Sequence, residues 1–192
     1  MQTAALAVTV LLIVPTAGDQ RIEAARDAVS FWNARLAELE VATRLDGPRV
    51  VVAPPELRDI ENYARRVAQR AVRLPAGDAE PDAPAEVTNL DADVILLLSA
   101  QDILSYAWPL PRIEPPRYLV VIRSVRGPDR GDAMVTRHVV AHELGHTLGL
   151  LHNEEPDTLM CGPCQPLLSI PDETGYLPLT DSERARLRAL HP

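Results

Sequence analysis

Apolar patterns at the start of the chain predict a strand, a helix and a second strand. Ala7–Val14 is almost wholly apolar, which is typical of a buried strand. Gln20–Leu39 has apolar residues three and four positions apart, which predicts an amphipathic helix with Asp19 as its N-cap. Arg49–Ala53 is another short apolar run. A β-α-β order implies parallel strands joined by a right-handed crossover.

The first apolar run is also compatible with the core of a secretory signal. No Lys or Arg precedes Ala4–Pro15, and no clear small-residue cleavage site follows it. The run is too short to span a bilayer. We favour the strand, and two outcomes stay open: a secreted protein if residues 1–17 are a signal, and a cytoplasmic protein otherwise.

The rest of the chain continues as helices and strands. Glu56–Leu74 predicts a second amphipathic helix with arginines on a solvated face, and the Pro- and Asp-rich Pro75–Val87 predicts a surface loop. Five predicted strands and four predicted helices indicate an α+β fold with an α/β-type mixed sheet. The further elements are strands at Ala92–Ser99, Ile103–Trp108 (an edge strand) and Arg117–Ser124, a turn at Gly127–Asp132, and helices at Ala133–Leu148 and Asp181–Leu190, the last capped by Thr180 and Glu183.

Composition narrows the class of protein. Apolar residues make up 46% and charged residues 24% of 192 residues, which is typical of one folded domain with a substantial core. The net charge of −8 argues against nucleic acid or an anionic membrane as a partner. We therefore expect no nucleic-acid partner, no stable membrane insertion and a monomer.

A cluster of histidines carries the clearest chemistry. His142 and His146 are four residues apart on a predicted helix, so their imidazoles stack on one face, one turn apart. Gly149 can end that helix in a left-handed conformation and return the chain, which brings His152 round as a third imidazole. Three nitrogens and an open position are typical of a catalytic zinc site, and Glu143 projects toward the open side.

The segment His142–His152, HELGHTLGLLH, resembles the zinc signature of the metzincin metallopeptidases. Met160, in DTLM, resembles the Met-turn beneath the metal in that clan, and the short gap after His152 resembles the matrixin branch. The resemblance implies a zincin fold with a twisted five-stranded sheet, an active-site helix and a C-terminal helix. It also implies one catalytic domain, 1–192, whose N-terminal subdomain, 1–148, holds the sheet and whose C-terminal subdomain, 149–192, holds the Met-turn.

The same resemblance suggests where a substrate would lie. Tyr106 and Trp108 on the edge strand are candidates for the rim of the cleft, and core packing is an equal alternative for both. The wall beyond the scissile bond is expected at Leu167–Tyr176, where Tyr176 is a cleft candidate and more simply a packed loop anchor. His138, one turn before the first ligand, is expected on the helix surface.

Two features depart from the family pattern. No aspartate-rich or glycine-rich segment resembles the structural ion sites of animal matrixins, and two cysteines cannot complete the four-cysteine second zinc site of archaemetzincins. Cys161 and Cys164 spell CGPC, the thioredoxin pair, but Met160 precedes them and Pro166 follows, so no long helix starts there. A disulfide that tightens the turn and two free thiols remain the alternatives.

These residues and the resemblance predict a hydrolase, a zinc endopeptidase with one Zn²⁺ and a protein or peptide substrate. The metal would polarise a peptide carbonyl, while Glu143 would take a proton from water and pass it to the leaving amine. One alternative is a narrow-specificity peptidase of archaemetzincin type. Another is a non-catalytic zinc-binding interaction protein, against which the intact Glu143 argues.

Overall fold

The computed structural model of the chain describes residues 6–73, 81–111, 113–124, 133–162 and 175–191. These residues form a mixed α+β fold, so the predicted fold class is confirmed. In chain order the elements are β1 (Ala7–Val8), β2 (Val10–Val14), α1 (Arg21–Glu38), β3 (Arg44–Leu45), β4 (Arg49–Val52), α2 (Leu57–Arg73), α3 (Ala85–Thr88), β5 (Val94–Leu98), β6 (Tyr106–Pro109), β7 (Tyr118–Ile122), α4 (Ala133–Thr147) and α5 (Asp181–Leu190).

The main sheet has five strands in the order β4-β2-β5-β7-β6. Every neighbouring pair is parallel except β6 and β7, which are antiparallel. β1 and β3 form a short parallel extension beside it. The predicted five-stranded mixed sheet is therefore confirmed, and β6 is one of its two edge strands.

Both faces of this sheet are covered by helices. Leu12 and Leu96 point to the face that packs against α1, α4 and α5, whereas Leu11 and Ile95 point to the face that packs against α2. Strands buried on both faces are continuous apolar runs rather than alternating ones. Every residue of β2 is at most 3% exposed, which confirms the strand interpretation of that apolar run.

The start of α1 differs from the prediction. The N-cap position is Gln20, without a side-chain cap, and Asp19 accepts from the backbone N–H of Arg21 at 3.0 Å and pairs with its guanidinium at 2.6 Å. Arg21 is 4% exposed and also donates to the carbonyls of Ser99 and Arg123. Asp19 thus lies one residue before the N-cap and still accepts an N–H of the first turn, while its buried ion pair with Arg21 fastens α1 to the carboxyl ends of β5 and β7.

The predicted loop Pro75–Val87 also needs correction. Its C-terminal end enters the short helix α3, which begins at Ala85, while residues 75–80 lie outside the described residues. Arg117 fastens this helix to the sheet, because its guanidinium donates to the carbonyls of Thr88 and Leu90. The predicted turn Gly127–Asp132 lies outside the described residues as well.

The longer helices agree with the sequence pattern. α2 and α4 begin and end within one residue of prediction, and α5 matches it with the expected capping box of Thr180 and Glu183. In the part of the chain that the structure describes, no helix has both the length and the apolar character needed to cross a membrane.

Candidate metal centre

Helix α4 is held close to α1 and to the turn at Met160. The indole N–H of Trp32 donates to the carbonyl of Ala141 at 2.8 Å, and Trp32 is fully buried. A side chain at Gly145 would lie 2.6 Å from the sulfur of Met160 and 3.0 Å from the Trp32 ring. Glycine at this position therefore lets α1 and the Met160 turn approach the helix that carries the first two histidines.

The chain reverses after α4 at a glycine, as predicted. Gly149 has φ +89, a conformation that L side chains rarely adopt. The N–H groups of Gly149 and Leu150 donate to the carbonyls of His146 and Gly145, which closes the end of the helix. This reversal returns the chain so that His152 faces the histidines of α4.

The three predicted imidazoles converge on one point. The Nε2 atom of His152 lies 3.1 Å from the Nε2 atoms of both His142 and His146. One ligand atom from each residue lies within 4.8 Å of the other two. Three nitrogens bound tetrahedrally at about 2.0–2.1 Å from one zinc ion would be about 3.3–3.4 Å apart, so this spacing fits such an ion.

Hydrogen bonds fix the tautomer of the two helical histidines. The Nδ1–H of His142 donates to the carbonyl of Leu159 at 2.7 Å, and that of His146 donates to the carbonyl of Leu150 at 2.9 Å. Burial lowers the pKa of His142 to about 4 and also lowers the pKa of His146. Both rings are therefore neutral and direct a bare Nε2 lone pair at the centre, which is the form that binds a metal.

A shared proton does not account for the convergence. The Nε2 atoms of His142 and His146 carry no hydrogen, so only His152 has an Nε2–H to offer, and one N–H donates well to one acceptor. A cation between the three nitrogens satisfies all the lone pairs at once. The donor set therefore fits a divalent ion that accepts imidazole nitrogen, as Zn²⁺ does.

Glu143 follows His142 in α4, and its side chain is buried. It is 7% exposed, and burial raises its pKa to about 8 in the metal-free protein. A backbone hydrogen bond from Ala107 of β6 partly opposes that rise. The carboxyl group is therefore held between the metal-binding helix and the edge strand.

The turn at Met160 lies against the metal-binding helix α4. Met160 is fully buried and packs in the core with Leu144 and Leu159. Cys161 is disulfide-bonded, which excludes the free-thiol alternative for it, and Cys164 lies outside the described residues.

The aromatic side chains of β6 lie on the face of the sheet that packs against α2. Tyr106 is 8% exposed and donates its hydroxyl to the carbonyl of Ala64 on α2, and Trp108 is partly buried and packs against the same core cluster. Side chains alternate along a strand, so Ala107 is the residue of β6 that faces α4. The core alternative therefore fits Tyr106, whereas a cleft role for the partly buried Trp108 stays a prediction.

Tyr176 and His138 pack together behind the metal centre. Tyr176 is 5% exposed and stacks on Phe31 at 4.2 Å, as a loop anchor would. His138 is 4% exposed, donates through Nδ1 to Met134 and accepts at Nε2 from the N–H of Leu177. The expected surface position of His138 is wrong, because its ring is needed inside to hold the loop. Residues 167–174 of the predicted wall lie outside the described residues.

Sequence reasoning missed several groups that support the centre. They share no motif: they are the carbonyls of Leu150 and Leu159, the indole of Trp32 and the N–H of Ala107. Ala107 could have been identified from the sequence. Side chains alternate along a strand, so if Tyr106 and Trp108 face one side of the sheet, Ala107 faces the other. The carbonyls of Leu150 and Leu159 could not be identified in this way, because every residue has a backbone carbonyl.

Two solved structures and one family model are similar to this chain. The chain is similar to archaemetzincin from Methanopyrus kandleri, with 15% identity, a TM-score of 0.47 and coverage of 95% of this chain and 94% of that chain. It is similar to a zinc-dependent peptidase from Methanocorpusculum labreanum, with 17% identity, a TM-score of 0.42 and coverage of 93% and 99%. No curated protein matches. The family description Matrixin matches residues 61–187, more than half of the chain, so this protein belongs to the matrixin family of zinc metallopeptidases.

Proposed function

We propose that this protein is a zinc endopeptidase that hydrolyses internal peptide bonds. His142, His146 and His152 hold the ion, and Glu143 acts as general base. The observation that carries the proposal is the convergence of three imidazole Nε2 atoms, two of them from a helix that also carries the buried carboxyl group of Glu143. The centre needs no further protein ligand, which leaves one tetrahedral position for the reaction.

Zinc bound to three neutral imidazoles supplies Lewis-acid chemistry, because it acidifies water and polarises a peptide carbonyl. Glu143 accepts the proton of the attacking water on its carboxylate. It then donates that proton to the nitrogen of the leaving amine. Its burial suits this role, because desolvation raises the pKa of the carboxyl group and makes it a better proton acceptor, while a zinc ion nearby would favour its ionised form.

The edge strand β6 is the proposed platform for the substrate. One side of β6 pairs with β7, and the strand is the last in the sheet. An extended peptide would add to its other side as a further strand, which places a peptide bond near the ion. The backbone contact from Ala107 to Glu143 supports this placement, because it joins the strand directly to the catalytic group.

The whole chain, 1–192, serves in this proposal as one monomeric catalytic domain acting on a protein or peptide. The N-terminal subdomain, 1–148, supplies the sheet and α4, and the C-terminal subdomain, 149–192, supplies His152, the Met-turn and α5. One core cluster supports this unity, since it contains Leu12 of β2, Leu144 of α4 and Leu187 of α5.

Cleavage of an unbiased peptide library by the zinc-loaded protein tests the proposal. Mass spectrometry should find new termini within the peptides, and Glu143→Gln should reduce turnover by about 10²–10⁴-fold while zinc content is unchanged. The control is Glu154→Gln, which changes an exposed glutamate two residues after His152 and should retain activity. A zinc-loaded protein that cleaves nothing would indicate a binding protein, and loss of terminal residues alone would indicate an exopeptidase.

A further inference from the structure

The third histidine is held differently from the other two. His152 is exposed, whereas His142 and His146 are partly buried and each has an Nδ1–H bound to a carbonyl. Within the described ranges, no hydrogen bond reaches Nδ1 of His152. Its orientation therefore has to come from the chain around it.

The neighbouring residue, Asn153, is hydrogen-bonded through its whole amide. Its Nδ2 donates to Glu183 Oε1 at 2.6 Å and to Thr158 Oγ1 at 3.1 Å. Its Oδ1 accepts from the N–H of Glu155 at 2.8 Å. A side chain bound on both its donor and its acceptor side has one position, so the backbone that carries His152 is fixed.

The backbone of Asn153 is joined to the Met-turn as well. Its N–H donates to the carbonyl of Met160 at 3.0 Å, and its carbonyl accepts from the N–H of Gly162 at 3.0 Å. Gly162 lies against the His152 ring, because a side chain there would come within 2.9 Å of the ring. Asn153 thus links the third ligand to the Met-turn and to α5.

Glu183 fixes the orientation of the Asn153 amide, because a carboxylate accepts hydrogen bonds and therefore requires the NH₂ group of Asn153 on its side. It is 5% exposed, and its second carboxylate oxygen accepts from the N–H of Thr180 at 2.8 Å. Both oxygens are therefore used as acceptors, one for the cap of α5 and one for Asn153. A buried carboxylate without its donor is costly, so the pair strongly favours one arrangement.

We propose that Asn153 and Glu183 are positioning residues that set His152 for zinc binding. The inference rests on the proposed function, since it assumes zinc at the three histidines. Loss of the contact lets the exposed imidazole leave the position where its Nε2 meets the other two. Partners behind metal ligands commonly change metal affinity by about 10–100-fold.

Reversing the polarity of the pair tests this role. Asn153→Asp places two carboxylates in contact, and Glu183→Gln presents an NH₂ group either to Nδ2 of Asn153 or to the N–H of Thr180. In the double variant Gln at 183 accepts from Thr180 and donates to Asp at 153, and the hydroxyl of Thr158, which already donates to Oδ1 of Asn153, can donate to Asp as well. Each single variant should bind zinc about 10–100-fold more weakly in chelator competition, and the double variant should recover to within about threefold.

Two further readouts separate positioning from general stability. The cobalt(II)-substituted single variants should show an altered ligand-field spectrum, and the double variant should show the wild-type spectrum. The matched control is Asn33→Asp, since Asn33 is also half-buried and exchanges two hydrogen bonds of 2.8 Å with the backbone of Leu45. It should lower thermal stability without changing zinc affinity.

Wild-type zinc affinity in both folded single variants, or no recovery in the double variant, would overturn the inference. His152→Ala shows which idea has failed. If His152→Ala weakens zinc binding and the two single variants do not, only the positioning role is wrong. If His152→Ala also leaves zinc affinity unchanged, the three-histidine centre of the proposed function is wrong.

Discussion

The imidazole of His142 donates through Nδ1 to the carbonyl oxygen of Leu159 at 2.7 Å. This bond joins the metal-binding helix to the residue before Met160, so the Met-turn fixes the tautomer of the first ligand. His146 is fixed in the same way by the carbonyl of Leu150. Two backbone carbonyls that follow α4 in the chain thus hold His142 and His146 in the tautomer that can bind a metal through Nε2.

The pH dependence of the metal-free protein should reveal the buried Glu143. Its pKa rises from 4.5 to about 8, so between these values the folded protein holds a proton that the unfolded chain has released, and stability falls as pH rises. His142 acts in the opposite direction, because its pKa falls from 6.5 to about 4 and its effect is complete above pH 6.5. From pH 6.5 to 8.5 the metal-free protein should lose roughly 2 kcal/mol of unfolding free energy.

Urea denaturation at the two pH values measures this loss. Glu143→Gln cannot titrate, so its unfolding free energy should change much less over the same interval. An equal loss in wild type and variant would mean that another group causes it.

Gly149→Ala should destabilise the protein by about 1–2 kcal/mol, because φ +89 is unfavourable for an L side chain. The added Cβ would also lie 2.5 Å from Leu190, although that side chain is 48% exposed and can move. Gly47→Ala is the control, since nothing lies within 4 Å of its Cβ position. Thermal denaturation of the metal-free variants measures the difference, and equal melting temperatures would contradict the account of this turn.

Trp32→Phe should cost about 2 kcal/mol or more. The substitution removes the hydrogen bond to Ala141 and leaves a cavity beside Gly145. Trp108→Phe is a matched control, because its buried indole N–H has no hydrogen-bond partner among the described residues. We expect that control to cost less than about 1 kcal/mol in urea denaturation. If Trp108→Phe lowered the free energy of unfolding as much as Trp32→Phe does, the hydrogen bond from Trp32 to Ala141 would not be the main cause of the Trp32→Phe effect.

The sequence was most informative where a side-chain type is itself the signal. Apolar runs predicted β2, β5 and β7, and the glycine at 149 predicted the reversal that brings His152 to the other histidines. It was less informative where tertiary contacts decide. Arg21 is buried against the carbonyls of Ser99 and Arg123, and His138 is buried where its ring accepts the N–H of Leu177. These partners lie far away in the chain and could not be identified before the elements were placed beside one another.

The central claim is that one zinc ion, bound by His142, His146 and His152, makes this protein a peptidase. Its most direct test is a titration of zinc into the metal-free protein while cleavage of a peptide mixture is followed. Activity should be absent without zinc, rise in proportion to added zinc and stop rising at one ion per chain. Cleavage that persists after complete removal of metal, or no cleavage at one bound ion per chain, would contradict it.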